Sequence, residues 1–188
     1  MTTILICDIV NLNYKKHLHV ISKYHYEKIQ RFKNEKDKKM MVASELLLKR
    51  YLTEKNMDID VLDISLDGKK PFIENSIYKF SFSHSKRYSC CAISENNIGV
   101  DIEVPRVIKP SFIKKYNLDN YTNNQVLVKW TQYESYYKFR NIKLSFSDFL
   151  KDNNISLIKS YIFDQYFLSI ALEKEEDVKI LEIDCNDL

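Results

Sequence analysis

Tyr78, Phe80 and Phe82 alternate with Lys79, Ser81 and Ser83, the two-residue period of a strand with one buried face. Segment 88–94 follows as a second strand. Glu95-Asn96-Asn97 makes a tight connection into a third at 98–103, so the middle of the chain reads as a β-meander. Upstream the period changes: Met40, Ala43, Leu47 and Tyr51 recur at helical spacing, which predicts one helical stretch over 26–52. Short strands are expected at 2–7 and 61–65, with Asp67-Gly68 as a turn. Pro105 and Pro110 break the pattern and open a polar segment to about 124. Helical spacing returns at 125–139, with Trp130, Tyr133 and Tyr137 on one stripe, and two last strands are expected at 161–163 and 166–172. The order helix, strands, helix, strands predicts an α+β protein of two similar halves, 1–103 and 104–188. No sequence repeat establishes that similarity.

A chain of 188 residues with 45% apolar content can bury one substantial core or two small, closely packed halves. A net charge of +3 from 29 basic and 26 acidic residues is too balanced to argue for nucleic acid as a partner. The distribution is more informative: residues 13–55 hold twelve Lys and Arg against five acids, whereas 173–188 hold seven acids against two lysines. An anionic ligand is therefore expected on the N-terminal side. Cys7, Cys90, Cys91 and Cys185 lack the spacing of a zinc site or a disulfide framework. The run Ile4-Leu5-Ile6-Cys7 is too brief for a secretory signal and no stretch reaches membrane-spanning length, so the expectation is a cytoplasmic protein without membrane contact. With glycine only at 68 and 99, phosphate-cradling loops of the Walker or Rossmann kind are excluded. Phosphate would have to be held by side chains, helix ends and metal.

Three constellations could carry chemistry. In Ile98-Gly99-Val100-Asp101-Ile102-Glu103 the strand period puts Asp101 and Glu103 on one face, with Cβ atoms about 7 Å apart. Such a pair suits a hard cation such as Mg²⁺, which completes its shell with water and phosphate oxygens; a solvated strand face accounts for the same alternation. On the second helix Glu134 and Lys138 are four apart and so neighbours. They are either a surface ion pair or a metal-binding acid beside a phosphate-binding base. Phe80-Ser81-Phe82-Ser83-His84-Ser85 ends a strand in a histidine between hydroxyls, donors suited to phosphate. No nucleophile elbow accompanies it, which argues against a hydrolase triad.

The order of these motifs, FSFSHS, then IGVDIE, then a helical WTxxESxxK at Trp130 to Lys138, strongly resembles the surfactin-type 4'-phosphopantetheinyl transferases. Gly68-Lys69-Lys70-Pro71-Phe72 is similar to the family's GKP segment. Glu27-Lys28-Ile29-Gln30-Arg31-Phe32 resembles the basic entry to its first long helix, and Lys143 to Phe149 the segment after its catalytic helix. The similarity spans roughly residues 28–149.

The resemblance implies two pseudo-symmetric α+β halves around a central cleft that binds coenzyme A. It implies Mg²⁺, with Mn²⁺ as the alternative, on Asp101, Glu103 and Glu134, and Lys138 on the coenzyme A diphosphate. It places His84 and Ser83 on phosphate, Lys28 and Arg31 on the 3'-phosphate, and Lys69, Lys70 and Pro71 along the adenine side. The implied reaction moves phosphopantetheine from coenzyme A to a serine of an acyl or peptidyl carrier protein, as a holo-acyl-carrier-protein synthase does, and releases 3',5'-ADP. Glu134, or a water beside it, would take the serine proton, and the chain would act as a monomer. Three departures stand out: Tyr133 replaces an expected lysine, 105–129 is short and lacks a clear carrier-docking helix, and Phe139-Arg140-Asn141-Ile142 replaces the usual glycines. These leave open a degenerate member that binds coenzyme A or carrier protein without transfer.

Overall fold

The computed structural model describes residues 1–57, 63–152 and 157–188. Its elements in chain order are β1 (Thr2–Asp8), α1 (Lys23–Arg31), α2 (Glu35–Glu54), β2 (Ile64–Asp67), β3 (Lys70–Ile73), β4 (Lys79–Ser85), β5 (Tyr88–Ser94) and β6 (Ile98–Glu103). There follow α3 (Pro110–Lys115), α4 (Asn123–Arg140), α5 (Phe146–Lys151), β7 (Ile158–Ile162), β8 (Phe167–Leu172) and β9 (Val178–Ile183). The expected α+β class is what forms.

The first sheet has the order β4-β5-β1-β9, with β9 parallel to β1 and the other pairs antiparallel. The second, β6-β8-β7, is antiparallel throughout, and β2 and β3 form a separate hairpin. Strand alternation then stacks four layers. Leu5, Cys7, Cys91 and Ile93 pack with Leu47, Leu48 and Leu52 of α2. Their neighbours Ile4, Ile6, Cys90 and Ala92 point the other way and meet Val100, Ile102, Leu168 and Ile170 of the second sheet. Beyond it, Phe167 and Ala171 pack with Val126 and Leu127 of α4. The adjacent cysteines 90 and 91 thus serve two different cores, both as free thiols. β6, from the range 1–103, belongs to the sheet that α4 covers, and β9, from 104–188, closes the sheet beneath α2.

The helical stretch expected at 26–52 is two helices. Phe32 leaves α1 in extended conformation (φ −79°, ψ 130°), and the Asn34 side chain then accepts the Lys36 N–H at 2.9 Å to cap α2. The apolar period runs through this break because Phe32 still packs against the core. Of the strand expected at 61–65, Val61 and Leu62 lie outside the described residues, and β2 runs from Ile64. Four elements were not anticipated: β3, α3, which starts with Pro110 in its first turn, α5, and β9 within the acidic C-terminal stretch.

The two sheets meet at an edge. Ser81, Ser83 and Ser85 of β4 accept the backbone N–H groups of Val100, Ile102 and Val104 at 3.1, 3.3 and 3.1 Å. Lys70 and Lys138 cover the carbonyls of the same β6 edge, donating to Ile98 O at 2.7 Å and Val100 O at 3.0 Å. On its face β6 is pressed so closely by α4 that a Cβ added at Gly99 would lie 2.1 Å from the Ser135 carbonyl oxygen and 2.4 Å from the Phe139 nitrogen. Both atoms are helix backbone and cannot yield locally. Gly99→Ala is therefore expected to cost about 3 kcal/mol or to abolish folding. Urea denaturation checks this, and a loss below about 1 kcal/mol would show that α4 can lift from β6.

Candidate functional site

A cavity of about 370 Å³ opens where β4, β6, α1, the β2–β3 hairpin and the end of α4 converge. Its walls include Lys28, Lys69, Lys70, Pro71, Ser83, His84, Asp101 and Lys138. Eight residues singled out from the sequence thus surround one space. Arg31 is exposed and does not line it, whereas Glu134 faces an adjoining cavity with Tyr133, Tyr137 and Leu144.

Asp101 lies at the inner end, 5% exposed. Its Oδ1 accepts from Lys138 Nζ at 2.7 Å and from Ser83 Oγ at 2.7 Å. Its Oδ2 is buried and has no hydrogen-bond partner among the described residues. Burial raises the Asp101 carboxyl above its ordinary value, with Lys138 and Ser83 pulling the other way and Glu103 adding to the rise. Glu103 accepts from Ser85 Oγ at 2.8 Å and pairs with Arg106 at 3.3 Å. Glu134 is also raised, by burial first and then by the charges of Asp101 and Glu103. Three acids therefore press on one another's charge, although among the described residues no three His, Cys, Asp or Glu side chains are gathered closely enough to hold a metal ion as they stand.

The cations fall into two groups. Lys138 spends its three N–H groups on Ser83 Oγ (3.0 Å), Val100 O and Asp101, so a phosphate would have to exchange with one of these. Lys70, half-buried, donates to Ile98 O and Asn97, and burial brings its ammonium down to about 8. Lys28 and Lys69 are held more lightly: each sits over a tyrosine ring, Tyr24 and Tyr137, and donates to that ring's hydroxyl at 3.3 and 3.1 Å. Ser83, expected to face phosphate, already accepts from Lys138 and Ile102 while donating to Asp101.

Among the cavity residues that escaped the sequence reading, His25 stands out. His25, 2% exposed, has Nδ1 2.5 Å from Oε2 of Glu45, which is itself fully buried. These partners are twenty apart in sequence, so only the break between α1 and α2 brings them together. A buried acid within an apolar helical stretch was the available signal.

Comparison with known proteins bears on this arrangement. Residues 10–96 match the family model described as "4'-phosphopantetheinyl transferase, N-terminal". The chain is also 28% identical over 174 residues to the 4'-phosphopantetheinyl transferase gsp of Aneurinibacillus migulanus, covering 86% of this chain and 70% of that protein. Both likenesses of this chain are to 4'-phosphopantetheinyl transferases.

Two of its departures from the family pattern have a structural account. The Tyr133 hydroxyl donates to Leu144 O at 2.8 Å while its ring packs on Phe146 and Phe149, so it pins the segment after α4 rather than presenting charge. Asn141 takes the left-handed conformation (φ 50°, ψ 31°) in which glycine commonly ends a helix, and its amide donates to Asp67 O at 2.9 Å to hold the β2–β3 turn. No helix among the described residues is long and apolar enough to cross a membrane.

The His84 ring is exposed at the cavity rim, yet protein packed around it lowers its ordinary value of 6.5 first, and the Lys138 ammonium lowers it second. Both penalise the imidazolium. Lys138→Met is expected to raise the His84 pKa part of the way back, the packing remaining. A proton NMR titration of the histidines reads this directly, and a value unmoved or lower in the variant would break the assignment of cause.

Proposed function

We propose that this chain transfers 4'-phosphopantetheine from coenzyme A to a serine of an acyl or peptidyl carrier protein, with Mg²⁺ or Mn²⁺ bound by Asp101, Glu103 and Glu134. The observation that carries the reading is the inner end of the cavity, where buried Asp101, its Oδ1 paired with Lys138 and its Oδ2 without a partner among the described residues, lines a space shared with Lys28, Lys69 and Lys70. An all-oxygen donor set suits a hard cation, and both Asp101 and Glu134 are raised, by burial first and by neighbouring acids second, a charge that a cation would offset. The bound cation would supply charge neutralisation for the diphosphate.

The chain's own groups do the rest. Lys28 and Lys69, loosely held at the mouth, draw in the nucleotide phosphates. Lys138 stays beside the diphosphate and stabilises charge that grows on its oxygens as the bond to the leaving 3',5'-ADP breaks. The carrier serine oxygen forms the new bond to phosphorus and gives up its proton. Glu134, raised by its surroundings, or a water beside it, is the acceptor at hand.

The test is the intact mass of an apo carrier protein after incubation with coenzyme A and Mg²⁺. A gain of one phosphopantetheine is expected, absent with Asp101→Asn and slowed on the order of a hundredfold with Lys138→Ala. Coenzyme A binding with no gain across several carriers would replace the transfer reading with binding alone.

A further inference from the structure

Glu45 has no exposure, and its carboxylate is filled from the protein side. Oε1 accepts the Ser22 N–H at 2.5 Å and lies 4.0 Å from Lys49 Nζ, while Oε2 accepts from Ser22 Oγ at 2.9 Å and faces His25 Nδ1. A carboxylate can only accept, so Nδ1 carries a proton and the ring orientation is fixed. Tyr24 and Phe82 hold the ring faces at centroid distances of 4.9 and 5.6 Å. The ring borders the cavity, and no hydrogen bond among the described residues reaches its Nε2. The protein thus spends a buried carboxylate, two hydrogen bonds from Ser22 and two aromatic contacts on orienting an imidazole whose second nitrogen has no partner among the described residues. A purely structural ion pair between α1 and α2 would not need a place in the cavity wall.

The helix adds direction. His25 and Lys28 are three apart on α1 and share a face, and both line the cavity, whereas Arg31 does not. With Lys69 and Lys70 opposite, an anion entering here finds cations on both sides.

We propose that His25 binds an anionic oxygen of the substrate through Nε2–H, paired with Lys28, and that Glu45 is the positioning residue that fixes the ring and neutralises the imidazolium. In that form the ring gives one N–H to each anion, the Nε2 proton being taken up from solvent as the anion binds, and no other bond is made or broken. The proposal deepens the coenzyme A reading and rests on it for the anion's identity, a phosphate group. The pair of groups on α1 that meets the ligand is then His25 and Lys28 rather than Lys28 and Arg31.

Two measurements test this. His25→Asn keeps an amide N–H near the Nδ1 position for Glu45 and removes only the Nε2 group. It is expected to keep its melting temperature within a few degrees and to raise KM for coenzyme A about tenfold, the worth of one hydrogen bond to a charged group, with kcat nearly unchanged. A folded variant with unchanged KM overturns the proposal. The second uses the unmodified protein: the His25 imidazole signals are followed by NMR while coenzyme A and, separately, inorganic pyrophosphate are added. Movement of the Nε2 signals toward the hydrogen-bonded, protonated form is expected with both. A response to pyrophosphate but none to coenzyme A would sink the coenzyme A reading and leave the anion site standing. A His25 that answers to neither, in protein whose other cavity signals move, overturns the site itself.

Discussion

The N–H groups of Val100, Ile102 and Val104 end on serine hydroxyls of β4 instead of carbonyls, and the position of every group at the inner end of the cavity follows from that. Two sheet edges that face each other would ordinarily either pair or need shielding. Here a side chain every second residue on β4 holds β6 one hydroxyl away, and two lysines close the remaining carbonyls. Sheet pairing would have left no room between the strands for Asp101 and the end of Lys138. A serine spacer leaves that room while keeping the buried backbone satisfied. The same hydroxyls turn onto the acids, Ser83 to Asp101 and Ser85 to Glu103, so strand registry and acid placement are one arrangement.

This arrangement also marks how far the sequence could be read. The alternation of FSFSHS and IGVDIE is a statement about faces, and both strands form, but their polar faces are covered too: Ser81, Ser83 and Asp101 are buried, while Phe82 is only half-buried. What alternation does not carry is which strand lies at an edge, so serines suited to phosphate donation turn out to be committed to backbone and carboxylate. Lys70 is a similar case: its charge was legible, but its task of covering Ile98 O depends on a hairpin docking across the chain. β9 was missed because its partner is β1, some 170 residues away in the chain. Nothing local separates VKILEI from the acids around it.

The helix break at Phe32 shows the opposite failure, a local feature hidden by a regular pattern. On one continuous helix, positions 25 and 45 would be about 30 Å apart along the axis. The extended Phe32 and the Asn34 cap turn α2 back on α1, and a histidine and an acid of no evident relation become a buried pair. An isolated Glu45 would be costly in that setting. The pair is therefore evidence that the break is part of the fold, since without it the acid has neither Ser22 nor His25 as partner.

Rigidity across the cavity is uneven, and the unevenness has a physical source. Lys138 and Lys70 are bound to carbonyls of β6, so moving either exposes backbone that has no other partner. Lys28 and Lys69 rest on tyrosine rings and hydroxyls, contacts that are individually weak and easily exchanged for an anion. An anion therefore meets compliant charge first and fixed charge last. Compliant groups at the mouth can follow a nucleotide of varied posture at little cost. In the proposed reaction, fixed groups at the inner end would hold the position of the reacting phosphorus to that of β6 itself, and preorganisation of this kind is what gives charged groups their effect on a transition state. The serine spacer thus governs the order in which charge is met as well as the place where it ends.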